Sequence, residues 1–120
     1  VKTLLIVEDD TDIQDYYQIL LGGLPVRTLQ AYTGREGLAF IDAGEQIDLI
    51  LLDIVLPEMG GEEFFRNLRL ERKAATPVIV CSVDEKLIEP LQGIGAVQGI
   101  FLKGGPGAAL VELIRGQLGL

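Results

Sequence analysis

The stretch from Asp48 to Gly61, DLILLDIVLPEMGG, constrains the fold of this chain more than any other. The aliphatic residues Leu49 to Leu52 run without interruption between two aspartates. Such a run suits a strand covered on both faces by helices, because a strand with one wet face would alternate apolar and polar residues. Asp53 stands where the run ends, and Pro57 with the Gly60-Gly61 pair forces a loop directly afterwards. Open α/β folds keep their ligands at the carboxyl edge of a parallel sheet, so a carboxylate in that position is a candidate for chemistry.

The rest of the chain repeats an alternation of strand and helix around this element. Residues 3–7, TLLIV, read as a buried strand that stops at Glu8, Asp9 and Asp10. Ile13, Tyr16, Tyr17 and Leu20 then fall at helical spacing, and Gly22-Gly23 supplies a stop. VRTLQAY, after Pro25, has the branched and aromatic content of a second strand. Thr33 and Glu36 form a capping-box pattern that starts a helix with Leu38 and Ile41 inward, ending near Gly44. Beyond Gly61 a helix carries Phe64, Phe65 and Leu68 on one face, with Glu62, Arg66, Arg69 and Arg72 in solvent.

Pro77 opens a fourth strand, PVIVCS, where a missing N–H is tolerated. The spacing of Leu87, Ile88 and Leu91 predicts a helix from Asp84 to Ile94, shortened or kinked by Pro90. GIFLK, residues 99–103, is a fifth strand, and Pro106 suits the first turn of a last helix carrying Leu110, Leu113 and Ile114. With right-handed crossovers, this alternation makes an α/β fold with a parallel sheet and helices on both faces the simplest architecture.

Composition narrows the chemistry. At 120 residues, 48% apolar and 23% charged, the chain is one globular domain large enough for its own core. It contains no histidine, which removes Ser-His-Asp and Cys-His nucleophiles and the imidazole zinc site. The single Cys81 cannot form an internal disulfide, and with the absence of a signal peptide it points to a reducing, cytoplasmic setting. No apolar run approaches the length of a bilayer span. A net charge of -8 repels phosphate backbones and anionic membranes, so neither nucleic acid nor membrane is an expected direct partner. The chain starts at Val1 without a methionine, and we expect it to be a segment of something longer.

If the first and third strands are neighbours, Glu8, Asp9 and Asp53 converge on one edge of the sheet. Acids at strand ends are often merely solvated, but three on two strands, with Ser82 ending a third and Lys103 a fourth, form a constellation. Such a cluster must either protonate or hold a cation. Oxygen ligands with room for water suit Mg2+. Carboxylate, hydroxyl and ammonium groups around a metal make a site for phosphoryl transfer.

LLIVEDD, DLILLDIVLPEMGG, PVIVCS and then Lys103, in this order and spacing, resemble the receiver domain of two-component response regulators over essentially the whole chain. The resemblance implies a flavodoxin-like (βα)5 doubly wound sheet with strand order 2-1-3-4-5. It also implies that residues 1–120 form a receiver domain excised from a longer response regulator or hybrid kinase. Asp53 is then the phosphoacceptor for a phosphoryl group carried by a histidine of a separate sensor kinase. Glu8 and Asp9 would bind Mg2+ together with Asp53 and the main-chain carbonyl of Val55. Ser82 holds the hydroxyl position and Lys103 the position that contacts phosphoryl oxygens. Such a domain catalyses only its own phosphorylation and dephosphorylation, and the face from Asp84 to Leu118 would serve a homodimer or an output domain.

Two positions depart from the family pattern. The proline usual after the lysine is replaced by Gly104-Gly105, and the aromatic usual three residues before it is Ile100. A trans peptide is therefore expected at Lys103-Gly104. Phe101 is expected to face away from the side that Ile100 lines, leaving the loop after Ser82 and the Pro90 helix to carry any signal.

Two other readings compete. A receiver fold used as an interaction module would have impaired phosphorylation switching or none. A phosphatase resembling the haloacid dehalogenase group would also use an aspartate nucleophile after a strand, but it wants a second aspartate two residues on, where this chain has Val55.

Overall fold

The structure, a computed structural model, describes residues 1–120. Five parallel strands, β1 (Lys2–Val7), β2 (Val26–Ala31), β3 (Leu49–Asp53), β4 (Val78–Ser82) and β5 (Gly99–Leu102), form one sheet in the order β2-β1-β3-β4-β5. Between and after them run α1 (Thr11–Leu21), α2 (Gly34–Asp42), α3 (Gly61–Arg66), α4 (Glu89–Gln92) and α5 (Gly107–Leu118). This is the doubly wound flavodoxin-like fold expected from the alternating pattern and the receiver resemblance. No helix is long and apolar enough to cross a membrane.

The uninterrupted apolar strands are explained by two cores, one on each face of the sheet. Leu5, Val7, Ile50, Leu52, Val78 and Val80 point to one face and pack under Leu38 of α2, Phe64 and Phe65 of α3, Leu68 just beyond it, and Ile88 and Leu91 of the α4 region. Leu4, Ile6, Leu49, Leu51, Ile79, Cys81 and Phe101 point to the other, under Tyr17 and Leu21 of α1 and Leu110, Ile114 and Leu118 of α5. Each fully buried aliphatic side chain contributes about 1.5–3 kcal/mol relative to exposure, so a register slip would turn hydrophobic rows away from their helices. Phe101 joins the α1/α5 core, and Ile100 points the other way at 36% exposure, as the alternation along β5 requires.

Local structure departs from the sequence pattern in four places. On α1 the buried ridge is Gln14, Tyr17 and Leu21, while Tyr16 is 46% exposed. The helix is therefore rotated from the face expected, because the polar amide of Gln14 finds partners inside. The Asp84 to Ile94 helix reduces to a 3-10 turn, Glu85–Leu87, followed by the single turn of α4, with Pro90 near its start. Pro90 has no N–H to donate to a longer helix. Pro106 is the N-cap of α5 and lies just outside its first turn.

Arg69 is the fourth departure. It lies in a π-helical extension of α3, Asn67–Glu71, where a widened turn carries its guanidinium back toward the sheet. There it donates to the carbonyls of Ala74, Thr76 and Ala96 and to Gln98 Oε1, at 2.8–3.3 Å, and covers the Phe65 ring at 4.8 Å. This arginine is a clamp between α3, the start of β4 and the segment before β5, and not the solvated charge its helical spacing suggested.

Candidate functional site

The strand register brings the reactive groups to one edge. Val7 pairs with Leu52, so Glu8, the next residue of the chain, emerges beside Asp53. Asp53 pairs with Cys81, Ser82 with Leu102, and the Lys103 N–H donates to the Ser82 carbonyl at 2.8 Å. The two aspartates that bracket the β3 run have different fates. Asp48, at its start, accepts the Thr3 N–H at 2.8 Å and ties β3 to β1 at the far end of the sheet. Asp53, at its end, is 5% exposed and faces the other acids.

Glu8, Asp9 and Asp53 each offer a carboxylate oxygen, and these oxygens lie within 4.8 Å of one another. An ionised pair at that separation costs about 3.5 kcal/mol at an effective dielectric of about 20. Lys103 offsets part of this. Its Nζ stands 2.9 Å from Glu8 Oε1 and 3.1 Å from Asp53 Oδ1, bridging two buried acids, one just after β1 and one ending β3. One ammonium against three carboxyl groups leaves room for a cation, and an oxygen-only donor set with one exposed member is that of a hard, hydrated metal ion. The cluster can hold a metal.

Burial raises the Glu8 carboxyl to about 7; the Lys103 hydrogen bond and the Asp10 N–H pull it down, and the charge of Asp53 adds to the rise. Burial works against the Lys103 ammonium, but its hydrogen bonds to Glu8 and Asp53 outweigh this and hold its pKa above the usual lysine value. Cys81, beside Asp53 in the ladder, is pushed up to about 12 by burial, so its thiol stays protonated and inert at neutral pH.

The surrounding loops are tightly closed. Asp10 is the N-cap of α1, accepting the N–H groups of Asp12 and Ile13, so the third acid of the EDD run is committed to the helix and not to the cluster. The N–H of Val55 reaches Asp53 Oδ1 at 3.4 Å, and the Val55 side chain is exposed at the rim. Gly61 donates to the Ile54 carbonyl at 2.8 Å; a Cβ there would lie 2.6 Å from Ile54 Cα and 2.7 Å from the Asp53 carbonyl oxygen. Ser82 Oγ is turned into the following loop, donating to the Asp84 carbonyl at 2.8 Å and accepting the Asp84 N–H at 3.2 Å. No peptide in the chain is cis; Lys103-Gly104 is trans, and Gly104 has φ +92°.

All the sequence-derived residues thus lie on this edge: Glu8, Asp9, Asp53 and Lys103 converge, Val55 follows in the loop, and the Ser82 hydroxyl engages its own turn. Sequence reasoning missed Gln14, whose buried amide bonds the Glu8 carbonyl at 3.1 Å. A lone glutamine on an amphipathic helix carries no signal of that kind.

Residues 4–115 match the response regulator receiver domain family. The chain belongs to that family. Similar proteins include the cell cycle response regulator CtrA of Brucella ovis and of Brucella suis, each 34% identical over 94 residues, or 77% of this chain and 39% of the relative. The receiver domain thus spans about two fifths of the length of those curated relatives. Among solved structures, a CheY-like response regulator receiver domain protein from Methanospirillum hungatei superposes with a TM-score of 0.87 at 29% identity, covering 99% of this chain and 94% of that one. Chemotaxis protein CheY4 of Vibrio cholerae has a TM-score of 0.84 at 23% identity, covering 97% and 98%, and shares the fold. This is a receiver domain of two-component signalling, a class that generally partners with histidine kinases and is typically not a true enzyme. Its Glu8, Asp9 and Asp53 pocket is consistent with a phosphoaspartate site.

Proposed function

We propose that this receiver domain accepts a phosphoryl group on Asp53 from a phosphohistidine of a sensor kinase, in a Mg2+-dependent reaction, and relays the signal by a change of conformation. The observation that carries this reading is the Lys103 ammonium placed between Glu8 and Asp53, 2.9 and 3.1 Å away, at the mouth of the acid cluster. An Asp53 oxygen attacks phosphorus; the O–P bond forms as the P–N bond breaks, and the imidazole leaves with the bonding pair and takes up a proton. Glu8, Asp9, Asp53 and the Val55 carbonyl would hold Mg2+, which when bound neutralises charge on the phosphoryl oxygens. Lys103 would pair with another of those oxygens, and its bonds to both acids hold it there beforehand. Ser82 must leave the Asp84 carbonyl to reach the phosphoryl group, and that exchange couples the chemistry to the loop before α4.

On this reading the domain catalyses only its own phosphorylation and dephosphorylation, works in the cytoplasm, and is the receiver of a longer response regulator or hybrid kinase. A homodimer or an output domain would use the face formed between Asp84 and Leu118. Treatment with acetyl phosphate and Mg2+ should add one phosphoryl group by intact mass, and Asp53→Ala should abolish it. Labelling that persists in Asp53→Ala, or none in the parent protein, contradicts the assignment.

A receiver-fold interaction module without switching is the second reading, favoured by the Ser82 hydroxyl's engagement with its own turn and by Ile100 at the usual aromatic position. Phosphorylation without any structural response would support it.

A further inference from the structure

Gln14 is 0% exposed, and the other buried residues of its helix are Tyr17 and Leu21. A carboxamide at that depth is destabilising unless its hydrogen bonds are made. Its Nε2 lies 3.0 Å from the Ala31 carbonyl, 3.1 Å from that of Glu8 and 3.3 Å from that of Ile6, and its Oε1 accepts from Gln30 Nε2 at 3.1 Å. Ala31 O also accepts the Glu8 N–H at 3.0 Å. One amide therefore ties together the ends of β1 and β2 at the residue where the chain leaves the sheet for the acid cluster.

We infer that Gln14 is a positioning residue for the phosphotransfer site: by holding the Glu8 carbonyl from beneath, it fixes the main chain from which Glu8 and Asp9 project toward Asp53. The Glu8 carboxyl group has restraints of its own, Lys103 Nζ at 2.9 Å and the Asp10 N–H at 3.2 Å. Asp9 is exposed, so its place depends on the main chain on either side. Asp10 secures one side by capping α1, and Gln14 secures the other. The inference rests on the reading of Glu8, Asp9 and Asp53 as the phosphotransfer site.

Gln14→Met keeps the volume of the side chain and removes its hydrogen bonds. Gln18→Met is the matched control, since Gln18 lies on the same helix and its Oε1 accepts from Thr28 Oγ1 of β2 at 3.1 Å, away from the acid cluster. Calorimetric Mg2+ titrations are run where all proteins are folded, with amide hydrogen exchange measured without metal. Gln14→Met should bind Mg2+ about 10-fold or more weakly, the loss typical when a group supporting metal ligands is removed, while Gln18→Met stays at the parent value. Exchange at Asp9 and Asp10 should quicken only in Gln14→Met. Unchanged Mg2+ affinity in Gln14→Met, even with a lower melting temperature, overturns the inference and leaves Gln14 purely structural. Absence of Mg2+ binding by the parent protein overturns instead the site reading beneath it. If Gln14→Met does not fold, Gln14→Asn, with an amide one methylene too short to keep all three carbonyls, is judged by the same outcomes.

Discussion

At the β1–β3 end of the reactive edge, Glu8 and Asp53 leave strands that are buried almost throughout, and Gln14, Lys103, the Asp10 cap and Gly61 tie down the chain around them. At the β4–β5 end, β5 is a four-residue edge strand with Ile100 and Leu102 exposed, Val83 stands in solvent, and α4 is one turn long. That second region is held by Ile88 and Leu91 in the core and by the Arg69 clamp at its far end. The contrast separates two requirements. On the proposed function, oxygens that meet a metal and a phosphoryl group belong on a fixed scaffold. A segment that must change shape is drawn from the less stable part of the fold.

The largest test of the fixed half is Gly61→Ala. A Cβ there meets the main chain of Asp53 and Ile54, which cannot move without displacing the Asp53 carboxylate. Urea unfolding should show a loss of about 3 kcal/mol, the upper range for overpacking, together with slower phosphorylation of the folded fraction. A loss near zero would show that this loop is not closed as described.

Next in size is Arg69→Met. Removing a charged donor shared among three carbonyls and Gln98 should cost about 2 kcal/mol. Amide exchange should quicken most between Val83 and Gln98 and least in β1 and β3. Uniform quickening would erase the distinction between the two regions.

Glu8→Gln tests the acids through pH. An acid whose folded-state pKa is raised, here from 4.5 to about 7, contributes stability below its unfolded value that is lost as pH rises through about 7. Metal-free protein should therefore be less stable at pH 8 than at pH 5 through this group, and Glu8→Gln should flatten that part of the profile. A profile unchanged by the substitution would mean that Glu8 is solvated. The smallest effect is expected from Leu87→Ala, on the exposed side of the α4 region, which should stay within about 0.5 kcal/mol of the parent.

Strands β1, β3 and β4 were legible because a sheet buried on both faces favours unbroken apolar runs bounded by turn residues, β2 through the branched and aromatic residues of VRTLQAY, and the strand order through the receiver resemblance. Asp53 was legible because it ends such a run and a proline-glycine loop follows. Gln14 and Arg69 were not. Helical periodicity sorts residues by polarity, so a polar side chain that satisfies itself against main-chain carbonyls reads as solvent-facing. The Ser82 hydroxyl illustrates a different limit, since its position follows from the strand while its partner, the Asp84 carbonyl, depends on a turn only two residues away. Pro90 signalled a weak helix, but not that only one turn of α4 would remain.

The most direct test is to record amide and methyl chemical shifts with Mg2+ before and after adding beryllofluoride, which stands in for the phosphoryl group on Asp53. Shifts concentrated in Val83 to Ile94, with Glu8 and Asp9 perturbed only locally, Ile100 and Phe101 keeping their rotamers, and no response in Asp53→Ala, are what this account predicts. A segment from Val83 to Ile94 that stays fixed while Ile100 or Phe101 changes rotamer, or a response that survives Asp53→Ala, would contradict it.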